Sequence, residues 1–400
     1  ATWLARKGFR TLILEKDRHP RFHIGESLLP LSLPYLEDLG VLDSIEKIGL
    51  RKYAAEFHSP YHGRKIAFSF SDAVRPDYPY AYEVRRSEFD ELLFRNAEKQ
   101  GAEVLEGFNV DQATFQNGRI ESISGLHADG QRHHYSAHFF VDASGRDTFL
   151  SDTLKTKQKN PRHHSAALYA HYHGATRNNG DAEGNIAIYW FDYGWFWMIP
   201  LKDGTMSVGA VCKPHYLKSR QTDVAAFFEA TIDLAPGVRE RLLQAERITE
   251  VTATGNYSYR STRISGTNYL MVGDAYAFID PVFSSGVHLA LAGAEKAARA
   301  VSMILTEPDR SAHALRRYET EVIKGMDRFA WFIYRITHPA IRDLFMNPRN
   351  ELKMKSGVVS VLAGDLFRNT PIALPLFAFR CVFFVKSLLM RLGLVKTITL

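Results

Sequence analysis

NYLMVGDAYAFIDPVFSSGVHLALAGAEKAARAV, residues Asn268 to Val301, reads as a short apolar strand, a loop and a long helix. Gly273 and Asp274 stand directly after the strand, and the helix begins near Gly286. A carboxylate at a strand end can bind a polyol hydroxyl, and the start of a helix offers free backbone N–H groups to a pyrophosphate or another anion. VDASG, Val141 to Gly145, repeats half of the arrangement, with Asp142 and small residues after an apolar strand. This pattern predicts an α/β chain.

The opening, ATWLARKGFRTLILEKD, fits the same scheme. Ala1, Leu4 and Ala5 sit at helical spacing, Gly8 ends the helix, and Thr11 to Leu14 reads as a buried strand. That is the second half of a βαβ unit, so the expectation is a fragment lacking the first strand and its glycine-rich turn. Glu15 ends the strand, where a dinucleotide-binding unit places the acid that accepts ribose hydroxyls. A bare strand-terminal Glu is otherwise a surface residue. VRRSEFD, Val84 to Asp90, places Arg86 just before an amphipathic helix closed by Gly101.

Four hundred residues exceed one simple core, which predicts two closely packed domains. Apolar residues make up 46% and charged ones 24%, an ordinary globular balance. The net charge of +6 is spread along the chain, with no basic run interleaved with aromatics, so nucleic acid is not an expected partner. Cys212 and Cys381 lie far apart without metal-ligand spacing, which predicts a reducing, cytoplasmic setting.

Elsewhere, a helix is expected over Leu31 to Ile48, antiparallel strands over KYAAEFHSPYHGRKIAFSFSD, and a hairpin-like pair within 119 to 142. Residues 165–213 are strand-rich, helices follow near 222–246, and the remainder after 301 is mainly helical. Sheet segments from both parts interleave, so the domains are expected to be discontinuous in sequence. In GWFWMIPLKDG, Trp195, Trp197 and Ile199 fall two apart and point to one face of a strand. Such a ridge is either plain core or the wall of a site.

In this order the segments resemble the FAD-binding parts of the aromatic-hydroxylase-like flavoproteins. ATWLARKG fits the tail of their glycine-rich fingerprint, Glu15 the ribose-binding acid, Arg86 the arginine, VDASG with Asp142 the central segment, and GDAYAFIDP the flavin-ribityl motif with Gly273 and Asp274. The resemblance implies a Rossmann-like FAD domain of the aromatic hydroxylase and glutathione reductase type over 1–50, 84–160 and 262–305. An interleaved antiparallel-sheet substrate domain would occupy 51–83 and 161–261, and a helical C-terminal region 306–400.

HIGESLLP, KYAAEF, WFWMIP and FIDPVFSSG look more closely like the flavin-dependent halogenases, in particular the branch acting on phenols and pyrroles. That resemblance implies reduced FAD from a separate flavin reductase, O2, and chloride or bromide as co-substrate. Hypohalous acid then travels through an internal tunnel to a lysine, which delivers electrophilic halogen to an electron-rich ring. Lys52 matches the catalytic lysine, and burial makes a lysine's pKa unusually adjustable. Pro281, Ser284, Ser285 and Gly286 match the halide and flavin loop, although Ser284 or Ser285 could equally be a plain helix N-cap. Trp195, Trp197, Ile199 and Pro200 match a gate between flavin and substrate, whose bulk keeps the arene from the flavin. Tryptophan-specific members carry a glutamate where this chain has Phe283, which argues against free tryptophan.

A related FAD-dependent monooxygenase, or a geranylgeranyl-reductase-like enzyme acting on a polyene or prenyl chain, is the alternative. The substrate is expected to be free or held on an acyl carrier protein. The pairs His133-His134 and His163-His164, and His171 with His173, lack matching carboxylate or cysteine spacing, so no metal is expected. PIALPLFAFRCVFFVKSLLMRLGLVK is interrupted by Arg380, Lys386 and Arg391, too soon for a convincing membrane span. It is expected to cover the substrate domain, with a peripheral membrane contact as the functional alternative.

Overall fold

The computed structural model describes residues 1–160 and 165–395, and the His163-His164 pair lies outside them. Two parallel strand pairs carry the acids singled out above. Leu12–Glu15 lies beside Glu103–Glu106 with Glu15 opposite Glu106. Phe140–Asp142 lies beside Tyr269–Met271, and the Val272 N–H donates to the Asp142 carbonyl at 2.9 Å. Tyr269, Leu270 and Met271 are buried against Ala297, Ala300, Val301 and Ile304 of the helix Ser285–Thr306. Gly273 turns the chain out of the strand at φ +55, and a Cβ there would stand 3.2 Å from the Ala290 Cβ. Glycine thus serves both the left-handed turn and the close approach of loop to helix.

The second layer is an eight-stranded, largely antiparallel sheet. Its main path runs Glu246–Arg247, Ser165–His173, Met206–Cys212, Gly194–Pro200, Ile186–Phe191, Ala54–Ser59 and Arg64–Ser69, and Thr252–Tyr257 also pairs with Ser165–His173. Only the Ala54–Ser59 to Ile186–Phe191 junction is parallel. Every residue of Gly194–Pro200 is buried, because both faces of the strand are covered. Trp195, Trp197 and Ile199 join one core with Ile279, Val282, Phe283 and the C-terminal helices, whereas Phe196 and Met198 join another with Phe228 and Ile232. The strand period of two therefore divides the two cores.

Helices Ser311–Ile333, Pro339–Met346, Met354–Leu362 and Ala373–Arg391 complete the chain. The last buries Pro375, Leu376, Phe379 and Phe383 and leaves Leu374, Phe377, Phe384, Val385 and Leu388 exposed. It covers the core as expected, with one face only.

One expectation requires correction. The single helix over Leu31 to Ile48 is broken into Leu33–Asp38 and Leu42–Ile48, because Gly40 adopts φ +73 between them. The hairpin expected within 119 to 142 is present, Arg119–His127 pairing antiparallel with Arg132–Tyr135, and Phe108–Gln116 adds a third strand on its other side.

Candidate active site

Lys52 ends the short strand Leu50–Lys52, which pairs with Ala81–Glu83 so that Lys52 lies opposite Ala81. Its side chain is 1% exposed. The ammonium donates to Ser27 Oγ at 2.7 Å and to the Leu28 carbonyl at 2.5 Å. Glu83 Oε1 stands 3.8 Å away, and the Phe70 ring centroid 5.5 Å. Burial pulls the Lys52 pKa down, and the neighbouring Glu83 charge opposes this in part. The same burial pushes Glu83 up to about 7, held back by Lys52 and Ser27 and raised further by Glu26. Neither Glu83 oxygen has a hydrogen-bond partner among the described residues, and with Lys52 3.8 Å away its proton and the lysine's are strongly linked.

The loop that meets Lys52 contains a second acid. Glu26 is buried, and its Oε1 lies 2.6 Å from Nε2 of His171 on the sheet, while Oε2 has no hydrogen-bond partner among the described residues. Arg86 fastens this loop by donating to the Ile24 and Gly25 carbonyls at 3.0 and 3.2 Å, and it grips Asp90 through two further bonds. Glu83, Glu26 and the use of His171 were not apparent in the sequence. A buried acid 31 positions from Lys52 leaves no periodic signal, and only the pairing of the two strands joins them.

The flavin-motif residues divide by role. The Asp142 oxygens accept from Ser144 N at 2.9 Å and Leu150 N at 2.8 Å, so this acid folds its own loop. Arg146, from the same loop, donates to Thr254 Oγ1 at 2.7 Å and to the Gly255 carbonyl. Asp274 accepts no hydrogen bond at its carboxylate from the described residues, and burial raises it to about 6 against the fields of Arg146 and Arg86. Glu15 Oε1 accepts from Asp17 N at 2.9 Å, and its Oε2 is 3.9 Å from His19 Nε2. No contact among the described residues joins Glu15 to Asp274.

In the loop before the long helix, Pro281 starts a turn capped by Asp280, whose Oδ1 accepts from Val282 N at 3.2 Å. Burial lifts Asp280 to about 6, while Ser165, Val282 and the Trp195 side chain hold it down. Ser284 is left-handed at φ +55 and makes no side-chain cap, which removes the N-cap reading for that residue. Ser285 is buried. A Cβ on Gly286 would meet nothing within 4 Å, so open space faces the first turn. An uncapped helix start beside open space, with a carboxylate lacking donors at the adjacent strand end, is a cradle that fits the pyrophosphate and polyol of FAD. Phe283 is buried and stacks on Phe345 at 6.4 Å. Trp197 donates its indole N–H to Ser207 Oγ at 3.1 Å, and Pro200 ends its strand opposite Met206.

Comparison with known proteins decides the family. The tryptophan halogenase family model matches residues 62–340. The chain belongs to that family. It is 33% identical over 324 residues to a tryptophan 2-halogenase of Chondromyces crocatus, covering 80% of this chain and 61% of that protein. It is 34% identical over 358 residues to the flavin-dependent halogenase armH4 of Armillaria mellea, covering 82% and 67%. The chain thus spans about three-fifths to two-thirds of these relatives. Among solved structures, a triple mutant of the flavin-dependent brominase Bmp2 superposes with TM-score 0.83 at 26% identity over 96% of each chain. The myxobacterial chondrochloren halogenase CndH superposes with TM-score 0.80 at 28% identity, over 97% and 93%. The family is FAD-dependent, and the fold is the FAD-binding α/β type expected.

The pairs His133-His134 and His171/His173 take no part in a metal-like group. Among the described residues no three His, Cys, Asp or Glu side chains come together as ligands.

Proposed function

We propose that this chain carries a flavin-dependent halogenase activity acting on an electron-rich phenol- or pyrrole-type ring, free or carried on an acyl carrier protein. The observation that carries the reading is Lys52, an ammonium buried between a loop and a strand with one acid beside it. A surface lysine would have no reason to be there, since burying a charge without function is costly.

When bound, reduced FAD supplies the O2 activation that oxidises chloride or bromide to hypohalous acid, with electrons from a separate flavin reductase. Asp274 and Glu15 would accept polyol and ribose hydroxyls, and the first turn at Ser285 and Gly286 would present backbone N–H groups to an anion. The Asp142 carboxylate shapes the loop beside them, and Arg86 holds Ile24 and Gly25, the residues leading into the Ser27-Leu28 contacts of Lys52. Lys52 receives the hypohalous acid. Glu83 accepts the ammonium proton, and the amine gains halogen as water leaves. Phe283 offers no base for an arene proton, so the ring must be activated by its own heteroatom, which favours phenols and pyrroles over free tryptophan.

Trp195, Trp197 and Ile199 line the side of the sheet toward the flavin loop, and Pro200 closes the strand. As a gate, their bulk keeps the arene from the flavin. The exposed face of Ala373–Arg391 supports a peripheral contact with an anionic membrane. Residues 366–400 contain Arg368, Arg380, Lys386, Arg391 and Lys396 but no Asp or Glu. A cytoplasmic setting accords with the reductase partner.

The test is product analysis. Protein, FAD, a flavin reductase with NADH, O2 and bromide are incubated with a panel of phenols and pyrroles, and brominated products are expected by mass spectrometry. Only hydroxylated or reduced products would favour the monooxygenase or reductase alternative.

A further inference from the structure

A cavity of about 230 Å³ lies at the turn joining Ile186–Phe191 to Gly194–Pro200, and neither Lys52 nor a residue of the flavin loop is in its wall. Its walls include Tyr61, Trp190, Asp192, Lys213, Thr337 and Arg342. Arg342, on the helix Pro339–Met346, is 8% exposed, and its guanidinium lies over the Tyr61 ring at 3.9 Å. Among the described residues no carboxylate comes within ion-pair distance of it. The adjacent Asp343 is taken by His62 and Lys386. Asp192, the one acid in the wall, accepts from the Tyr61 hydroxyl at 3.2 Å. Lys213 donates to the Asp192 carbonyl at 2.9 Å, which brings a second cation to the rim. Trp190 is 2% exposed, and among the described residues its buried indole N–H has no hydrogen-bond partner.

A buried guanidinium with no anion and a buried N–H with no acceptor are both costly unless something compensates them. An oxyanion is the group that would suit both, one oxygen on the arginine fork and another on the indole N–H. We propose that this cavity is a binding site for a carboxylate or phosphate group. Its aromatic walls suit an anion attached to a flat ring. Trp190 stands opposite Trp195 in the strand pair, so an occupant would abut the end of the tryptophan ridge. The site rests on its own wall and stands whether or not the chain halogenates.

Isothermal titration calorimetry of the full chain in chloride-free buffer tests it, with benzoate in one arm and inorganic phosphate in the other. Saturable binding in either arm is expected, and the arm that binds tells whether the natural anion is a carboxylate or a phosphate. Arg342→Gln should weaken that binding by roughly tenfold or more, as loss of a charge-assisted bond does. Trp190→Phe, which keeps the ring and removes only the N–H, should weaken it several-fold, and Arg342→Lys should fall between wild type and Arg342→Gln. Circular dichroism confirms folding, and Trp190→Phe carries the test if Arg342→Gln does not fold. No binding in either arm, or binding unchanged in the folded variants, would overturn the proposal.

Discussion

Lys52 and Glu83 share a dry space in which each changes what the other can do. Burial raises Glu83 to about 7 and lowers Lys52. The groups facing the pair are Ser27, the Phe70 ring, and the acid Glu26 with its partner His171. Below pH 7 Glu83 holds its own proton and cannot take the lysine's. Above pH 7 it is an anion that can. Halogenation efficiency, kcat/KM, is therefore expected to rise as pH increases through about 7. Glu83→Gln should lower the rate and remove that limb. An identical limb in Glu83→Gln would show that another group titrates there. Lys52 could be singled out from its motif, because a short local pattern carries it. Glu83 could not, since its meaning depends on a strand partner and on burial. Asp142 shows the same limit from the other side, because the two backbone N–H groups that its carboxylate accepts from within its own loop are not legible in the motif.

The tryptophan strand is an element whose reading needed only its period. Trp195, Trp197 and Ile199 had to share a face, and they do. What they face was not legible, because it depends on the loop Ile279 to Phe283 and on helices more than a hundred residues later. Gly209 lies opposite Trp197, and a Cβ there would come 2.2 Å from the indole. Gly209→Ala should force the indole aside and cost about 1–3 kcal/mol in urea unfolding, the usual range for overpacking. A change below a few tenths would mean that the ridge shifts freely. On the gate reading, Trp195→Ala or Trp197→Ala should lower the ratio of halogenated product to NADH consumed. An unchanged ratio in both would leave the ridge as core. At this scale the broken helix is also instructive, since Leu31 to Ile48 keeps an apolar pattern across Gly40 and only the positive φ interrupts it.

Across the whole molecule, Glu15 ends one parallel pair and Asp274 stands in the turn after the other, the antiparallel sheet carries the ridge, and the C-terminal helices pack on the ridge. Alternating strand and helix patterns conveyed this layering from the sequence, while the joining of the layers rests on contacts distant in the chain. The final helix gathers exposed apolar side chains, Leu374, Phe377, Phe384, Val385 and Leu388, among cations. The full chain is expected to co-sediment with vesicles containing phosphatidylserine and less with neutral vesicles, and a Phe377→Ser, Leu388→Ser variant should lose this. Equal, negligible sedimentation with both vesicles would remove the membrane contact.

The central claim is that the buried lysine passes halogen to the ring. Its most direct test compares wild type with Lys52→Met under bromide, O2, FAD and a flavin reductase, following brominated product by mass spectrometry and NADH consumption together. The account predicts brominated phenol or pyrrole from wild type and none from Lys52→Met, with NADH still consumed by both. Brominated product from folded Lys52→Met at the wild-type rate would contradict it.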